Sequence, residues 1–141
     1  MPRNKPHVLT SIPEYEGAAV YALIDDTGRP YIGSTNDFQR RMRTWEVFMR
    51  QVLKEKCLNG LLSQQIGVAL LSGRSFRAAV VEALPRDMGY ADRIAHERAA
   101  LLSVGGLDCT YNRVIPRTWG NQPDAEGLPT PRIDDKGLVM V

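Results

Sequence analysis

Apolar residues recur at helical spacing along residues 38–52, directly after a run of small polar side chains. The apolar positions are Phe38, Met42, Trp45, Met49 and Val52. Spacings of four, three, four and three place them on one continuous stripe of an α-helix. The polar run ends at Asp37 and consists of residue types that favour the N-cap position. The pattern therefore predicts a helix of about twenty residues with its N-cap among residues 34–37.

Two short apolar runs before this helix predict a β-hairpin. Residues 18–24 form the first strand and residues 30–33 the second, with a turn signal between them. Gly28 suits the left-handed position that closes a three-residue hairpin loop. In the register that this loop fixes, Tyr21 and Tyr31 are diagonal neighbours on the same face of the sheet. A slip of one residue would put them on opposite faces.

The rest of the chain predicts two more helices and one more strand. These elements are a helix at 61–71, a strand at 75–84, a helix at 88–103 and an extended segment at 108–115. The order β-β-α-α-β-α indicates an α+β domain with a small three-stranded antiparallel sheet flanked by helices. We assign this domain to residues 17–116, between an N-terminal extension (1–16) and a Pro/Gly-rich C-terminal tail (117–141).

Composition narrows the classes of function. The 141 residues are 43% hydrophobic and 24% charged, which fits one globular domain with a tail. No apolar run is long enough for a membrane span, and the N-terminus lacks the apolar core of a signal peptide, so we expect a cytoplasmic protein without a membrane partner. Two cysteines and two histidines, with no CxxC pair, exclude a zinc finger and a disulfide framework.

Positive charge is concentrated on the first predicted helix, because residues 39–56 carry six basic groups against two acidic ones. On a helical wheel, Arg41 lies about 60° from the centre of the apolar stripe, where a guanidinium can reach over the sheet. The other basic side chains point away from the stripe: Arg40, Arg43, Arg50 and Lys54. These four fit a solvated helix face or the backbone of a nucleic acid. We interpret the acidic groups of the domain as surface residues (Glu46, Glu82) and as turn or cap residues (Asp25, Asp26, Asp37).

Five elements, in order, resemble the GIY-YIG nuclease family. Its first tripeptide corresponds to Ala19-Val20-Tyr21, which keeps the tyrosine, and its second is intact as Tyr31-Ile32-Gly33. The helical arginine of the family corresponds to Arg41, and its metal-binding glutamate corresponds to Glu97. The closing Tyr-Asn pair corresponds to Tyr111-Asn112.

The resemblance spans residues 17–116 and implies a Mg²⁺-dependent endonuclease that hydrolyses phosphodiester bonds in DNA. Glu97 would hold a single Mg²⁺, for which Mn²⁺ is a substitute, and Arg41 would contact the phosphate oxygens. A tyrosine would act as general base, with Tyr31 favoured and Tyr21 able to exchange roles with it. That role requires a nearby positive charge to lower the pKa of the phenol.

Purely structural roles are also open for these residues. Glu97 borders the apolar stripe of its helix and fits an ion pair with Arg93, one turn earlier. Asn112 would hold a tyrosine, Glu97 or a water in place, or it would satisfy the backbone of a loop. Besides Ala19 and Val20 in the first tripeptide, two further positions depart from the family. Trp45 stands where many members have His or Tyr, and Ser34 stands where a basic residue often follows.

Two other functions compete with the nuclease. The altered first tripeptide and Trp45 favour a catalytically inactive nucleic-acid-binding module on the same fold. The basic helix also suits a protein-interaction domain. Because only residues 1–16 and 117–141 lie outside the domain, the nuclease interpretation predicts little sequence specificity of its own. A protein partner or a homodimer would then supply specificity.

Overall fold

Three strands and three helices follow one another in the predicted order. A computed structural model of the protein describes residues 8–56 and 64–112. The elements are β1 (Ala18–Asp25), β2 (Pro30–Thr35), α1 (Phe38–Glu55), α2 (Gln64–Leu71), β3 (Phe76–Leu84) and α3 (Tyr90–Ser103). The predicted α+β class with a small antiparallel sheet is confirmed. The predicted start of the second helix at residue 61, the end of the predicted domain (113–116) and the tail lie outside the described residues.

The turn between β1 and β2 is the predicted three-residue loop. The Asp25 N–H donates to the Arg29 carbonyl at 3.0 Å, and Gly28 has a φ of 93°, which glycine adopts without a steric penalty. The Asp25 carboxylate accepts hydrogen bonds from the backbone N–H groups of Thr27 and Arg29, each at 2.9 Å. Asp25 is therefore the turn residue that the sequence predicted.

The predicted register of the hairpin is also confirmed. Leu23 lies opposite Tyr31, and Tyr21 lies opposite Gly33. The two tyrosines are therefore diagonal neighbours on one face of the sheet. Both belong to the apolar layer between the sheet and α1.

The sheet separates two apolar layers. Its strand order is β2-β1-β3 with both pairs antiparallel, so β1 is central and β2 forms one edge. The layer on one face is built with α1 and α2, and the layer on the other face with α3. β1 is buried along its whole length, as expected for a central strand covered on both faces. At the edge strand β2, side chains from α1 and α3 can approach each other around the sheet.

α1 begins after the last of the four N-cap candidates that the sequence offered. Asp37 is its N-cap, and the carboxylate accepts a hydrogen bond from the Arg40 N–H at 3.1 Å. All five residues of the predicted apolar stripe are buried. Arg41 lies at the edge of the stripe and is half-buried, whereas Arg40 and Arg43 are exposed. The helical wheel therefore gave the correct relative positions of these arginines.

Glu46 is buried, so its prediction as a surface residue is wrong. Only 6% of the residue is exposed, and its carboxylate accepts hydrogen bonds from the N–H groups of Val8 (2.8 Å) and Leu9 (3.2 Å). Leu9 is itself buried, and the next residue, Thr10, donates to the Phe76 carbonyl at 2.8 Å. Residues 8–10, which the sequence assigned to an extension, therefore cover α1 and the edge of β3.

The segment after α3 differs from the predicted extended conformation at 108–115. A 3₁₀ helix spans Gly106–Cys109, and the chain becomes extended only at Thr110. Gly105 and Gly106 have φ of 106° and 68°, and the Thr110 hydroxyl donates to the Gly106 carbonyl at 2.9 Å. These left-handed glycines turn the chain back towards the sheet, which an interpretation based on side-chain pattern alone missed.

Tyr111 fastens this C-terminal segment to the hairpin. Its hydroxyl donates to the Asp25 carboxylate, and the Arg29 guanidinium lies 4.8 Å from the centre of its ring. Burial alone would raise the pKa of Asp25, but hydrogen bonds from Thr27 and Tyr111 outweigh it and the pKa is lowered. Burial and the bond to Asp25 raise the pKa of Tyr111 to about 12.

The Tyr111→Phe variant tests this contact through the pH dependence of stability. We expect the substitution to lower the free energy of unfolding at neutral pH by about 1–2 kcal/mol, because Asp25 loses a buried donor. The contribution from Tyr111 is complete below pH 10 and disappears as the pH rises through about 12. The contribution from Asp25 is present above about pH 3.8 and is lost as the pH falls. Urea unfolding at a series of pH values measures both, and parallel profiles for the two proteins would contradict the prediction.

Candidate active site

Tyr21 packs directly against the backbone of Gly33 on the edge strand. A Cβ at Gly33 would lie 2.6 Å from both Cζ and Oη of Tyr21, which is far inside van der Waals contact. Tyr21 is 2% exposed and also meets the ring of Phe38 edge-on, with the ring centres 6.5 Å apart. Glycine is therefore required at position 33, since only a residue without a side chain lets the Tyr21 phenol pack against the backbone of β2.

Trp45 links the two tyrosines. Its Nε1–H donates to the Tyr21 hydroxyl at 3.0 Å, and its ring meets the ring of Tyr31 edge-on at 5.3 Å between centres. Trp45 is buried on α1, one turn after Arg41. The sequence marked this position only as a departure from the family. In the structure its side chain orients both phenols.

Arg41 is the basic residue of α1 that acts on the tyrosines. Burial raises the pKa of Tyr21, Tyr31 and Glu97, and the positive charge of Arg41 acts against that rise in all three, so all three lie within its electrostatic range. Arg40, Arg43 and Lys54 are exposed, and Arg50 forms an ion pair with Glu46 at 3.7 Å. As predicted, Arg41 lies closer to the core than the exposed basic residues of α1. Arg50 differs from those residues, because it is half-buried and paired with the buried Glu46.

Glu97 reaches the same edge of the sheet from α3, on the opposite face. The Ser34 hydroxyl donates to its Oε1 at 2.7 Å. Burial raises the pKa of Glu97, whereas the Ser34 hydrogen bond and the charges of Arg93 and Arg41 act to lower it. No ion pair joins Arg93 to Glu97, although both lie in the described ranges. The ordinary helix ion pair that competed with the ligand interpretation is therefore absent from these two residues.

Both tyrosines are harder to ionise than a free phenol. Burial raises the pKa of Tyr21, the neighbouring Tyr31 raises it further, and the Trp45 hydrogen bond and Arg41 only partly oppose this. Burial and the charge of Glu97 raise the pKa of Tyr31 in the same way. The positive charge of the chain alone therefore does not lower either phenol pKa, which the general-base role required. The neutral hydroxyls can orient a water or a phosphate, and proton removal by them needs further positive charge nearby.

Asn112 acts on the backbone of the edge strand rather than on the ionisable groups. Its side-chain amide accepts from the Ile32 N–H at 2.8 Å and donates to the Ile32 carbonyl at 2.7 Å. The Asn112 amide thus satisfies the backbone of Ile32, between Tyr31 and Gly33, as an adjacent strand would. Of the two roles that the sequence left open, the structure shows satisfaction of the backbone. Asn112 is a positioning residue, because it fixes the strand that carries Tyr31.

The edge strand has one carboxylate beside it, Glu97, that could serve as a metal ligand. Among residues 8–56 and 64–112, no group of three or more His, Cys, Asp or Glu side chains could hold a metal ion. One carboxylate, Glu97, is nevertheless compatible with Mg²⁺, which keeps most of its ligands as waters and prefers hard oxygen donors. The hydrogen bond from the Ser34 hydroxyl to Oε1 of Glu97 orients the carboxylate, as residues that bond to metal ligands commonly do.

Comparisons with protein-family models, with curated proteins and with solved structures give no match to this chain. Among the helices in the described part of the chain, none has both the length and the apolar character needed to cross a membrane. Four of the five predicted catalytic residues, Tyr21, Tyr31, Arg41 and Glu97, lie within electrostatic range of one another near the edge strand.

Proposed function

We propose that the chain is a Mg²⁺-dependent endonuclease of the GIY-YIG type that hydrolyses phosphodiester bonds in DNA. This proposal is supported by two phenols and one carboxylate that contact β2 or the Trp45 ring beside it, with one guanidinium within electrostatic range of all three. These groups come from both faces of the sheet, from positions 21 to 97 of the chain. A purely structural cluster has no need to keep a half-buried carboxylate free of an ion pair near one buried and one half-buried tyrosine.

Each group has a separate task in the proposed reaction. The planar fork of Arg41 contacts two phosphate oxygens and stabilises the charge that develops on them. Glu97 holds the cation, and Ser34 keeps the carboxylate in one orientation. Mg²⁺, when bound, supplies Lewis-acid polarisation of the phosphate. Mn²⁺ prefers the same hard oxygen ligands and substitutes for it.

The tyrosines differ in access to an attacking water. Tyr21 is almost completely buried, and its hydroxyl already accepts a hydrogen bond from Trp45. Tyr31 is half-buried on the edge strand, with its ring held against Trp45. We therefore assign proton abstraction to Tyr31 and assign to Tyr21 a hydroxyl that orients the water or the phosphate. The charge of the bound cation and Arg41 would counter the burial that raises the pKa of Tyr31.

The exposed cations of α1 suit the DNA backbone outside the cleavage point. The exposed basic side chains of this helix are those of Arg40, Arg43 and Lys54. Such side chains contact phosphates whatever the base sequence, and the affinity from these contacts falls as the salt concentration rises. The nuclease would then depend on DNA shape, a protein partner or a homodimer for specificity. A footprint of the isolated chain on one base sequence would contradict this part of the proposal.

The proposal is tested by cleavage of branched, flapped and fully paired DNA with Mg²⁺, with Mn²⁺ and with EDTA. We expect cutting with either metal and none with EDTA. Arg41→Lys is expected to reduce the rate roughly tenfold, because lysine keeps the charge and loses the planar fork. Arg43→Lys, the same change on the exposed side of α1, is expected to leave the rate within about twofold. Equal loss in both variants would remove the special role of Arg41.

A catalytically inactive nucleic-acid-binding module is the second candidate. The observation that favours it is burial, which raises the pKa of both tyrosines and opposes their use as a base. This module would bind DNA in a salt-sensitive way and turn over nothing with any divalent metal. Tyr31→Phe separates the two functions, because it would reduce cleavage by a nuclease and leave the affinity of a binding module unchanged.

A further inference from the structure

One face of α3 carries an aromatic ring, a guanidinium and the carboxylate of the proposed site. Tyr90, Arg93 and Glu97 are separated by three and four residues, so they follow one another along the same side of the helix. The rise of an α-helix places Tyr90 about 10 Å from Glu97 along the axis. A nucleotide lying beside a phosphate at Glu97 can span that distance.

Tyr90 is more exposed than any other tyrosine in the described ranges. It is 61% exposed, while the other tyrosines of the described chain are buried or half-buried. The Arg93 guanidinium lies over its ring at 5.4 Å from the centre, which holds the ring in place from one side. The other side of an exposed ring is a surface on which a nucleobase can stack.

Arg93 retains its hydrogen-bonding capacity. Its Nε is buried without a hydrogen-bond partner, and no ion pair engages its guanidinium within the described part of the chain. Arg93 is nevertheless close enough to Glu97 for its charge to lower the pKa of that carboxyl. Since no ion pair with a described residue engages Arg93, its guanidinium can contact a second phosphate beside the proposed site.

We propose that Tyr90 and Arg93 form a nucleotide subsite on α3, in which an unpaired base stacks on Tyr90 and its phosphate is held by Arg93. The subsite rests on the proposed nuclease function and defines its substrate class. A base can lie on Tyr90 only after it leaves the duplex stack, and that cost is smallest where the base is already unpaired. The substrate is therefore DNA with unpaired nucleotides next to the scissile phosphate, as in a flap or a branch.

Binding to a protein that cannot cut provides the first test. In a Glu97→Gln background, a labelled single-stranded oligonucleotide and a fully paired duplex of the same sequence are titrated with Mg²⁺ present. We expect Tyr90→Ala to weaken single-strand binding roughly tenfold and duplex binding less than about twofold. Tyr90→Trp is expected to keep the affinity, since indole also stacks. Leu102→Ala, an exposed residue on another side of α3, is the matched control and is expected to change neither affinity.

Arg93→Gln tests the phosphate contact. It is expected to weaken single-strand binding and to reduce the slope of log affinity against log salt by about one. Loss of the same size on single strand and duplex in Tyr90→Ala, or no loss at all, would overturn the subsite. An unchanged salt slope in Arg93→Gln would overturn the phosphate contact.

The subsite and the nuclease function fail in different ways. If the wild type cuts DNA but Tyr90→Ala leaves the ratio of flap to duplex cleavage unchanged, the subsite is wrong and the nuclease stands. If no DNA is cut with any divalent metal but Tyr90→Ala still weakens single-strand binding selectively, the subsite stands in a binding module. If the protein binds neither oligonucleotide, both proposals fall.

Discussion

Replacing Glu97 with glutamine is expected to reduce DNA cleavage roughly thousandfold while leaving the free energy of unfolding unchanged or slightly higher. In the proposed mechanism Glu97 holds the metal ion, and Lewis-acid stabilisation of a phosphate transition state is worth several kcal/mol. Glutamine has almost the same shape and can still accept the Ser34 hydrogen bond, but it carries no charge to hold Mg²⁺. Cleavage rates at saturating metal and urea unfolding measure the two effects separately.

The expected effect on stability follows from the burial of Glu97. Burial raises the pKa of this carboxyl, so its charged form is disfavoured in the folded protein at neutral pH. Removing the charge therefore relieves an unfavourable interaction, as is common for residues kept for activity rather than stability. Glu82 offers a matched control, because its carboxylate is also partly covered and bonds Nδ1 of His96 on α3 at 2.8 Å.

Glu82→Gln should show the opposite result. The substitution weakens a contact within the protein, so we expect a loss of up to about 1 kcal/mol in stability and cleavage within about twofold of wild type. If the loss of cleavage in Glu97→Gln is explained by a lower free energy of unfolding, Glu97 is a structural residue. If it cuts DNA at the wild-type rate, the metal site lies elsewhere or the activity belongs to another protein.

Local patterns predicted the elements of this fold well. The hairpin register followed from Gly28, because a three-residue loop with a left-handed closing residue permits one pairing, and that pairing put Tyr21 beside Tyr31. The wheel of α1 placed Arg41 at the margin of the core for a similar reason, since helical geometry fixes each angle from the sequence alone. Predictions of this kind depend only on neighbours in the chain.

Contacts between distant segments were the part that the sequence could not predict. Glu46 is buried because residues 8 and 9, thirty-seven or more positions earlier, bring two N–H groups to its carboxylate. Asn112 finds the backbone of Ile32 eighty positions away. A side chain alone does not reveal which distant backbone it will meet, so Glu46 was predicted as exposed and Asn112 kept two open roles.

Within the candidate site, the informative residues were those that differ from the family pattern that the sequence resembles. Trp45 and Ser34 stood out only as substitutions in the sequence, yet each donates a hydrogen bond to a predicted catalytic group. Both residues can donate, and indole cannot accept. A Trp at this position can therefore hold Tyr21 but cannot take a proton from water, which leaves the base to Tyr31 in the proposed mechanism.

The Gly33→Ala variant is expected to lose both stability and cleavage. The new Cβ would lie 2.6 Å from Cζ and Oη of Tyr21, and the ring cannot move freely because Trp45 holds its hydroxyl and Phe38 packs against it. Overpacking of this kind costs about 1–3 kcal/mol. We expect a decrease near the upper end of that range in urea unfolding, and a loss of cleavage larger than the unfolded fraction accounts for.

The Gly89→Ser variant is a control that replaces a glycine without the steric clash expected at Gly33. Gly89 is the N-cap of α3, its φ of −66° suits any residue, and no atom lies within 4 Å of a Cβ built there. Serine is favoured at an N-cap, so this variant should be as stable as the wild type or more so. If Gly33→Ala is equally harmless, Tyr21 does not need the close approach to the edge strand, and the geometry that joins the two phenols to Arg41 and Glu97 loses its physical basis.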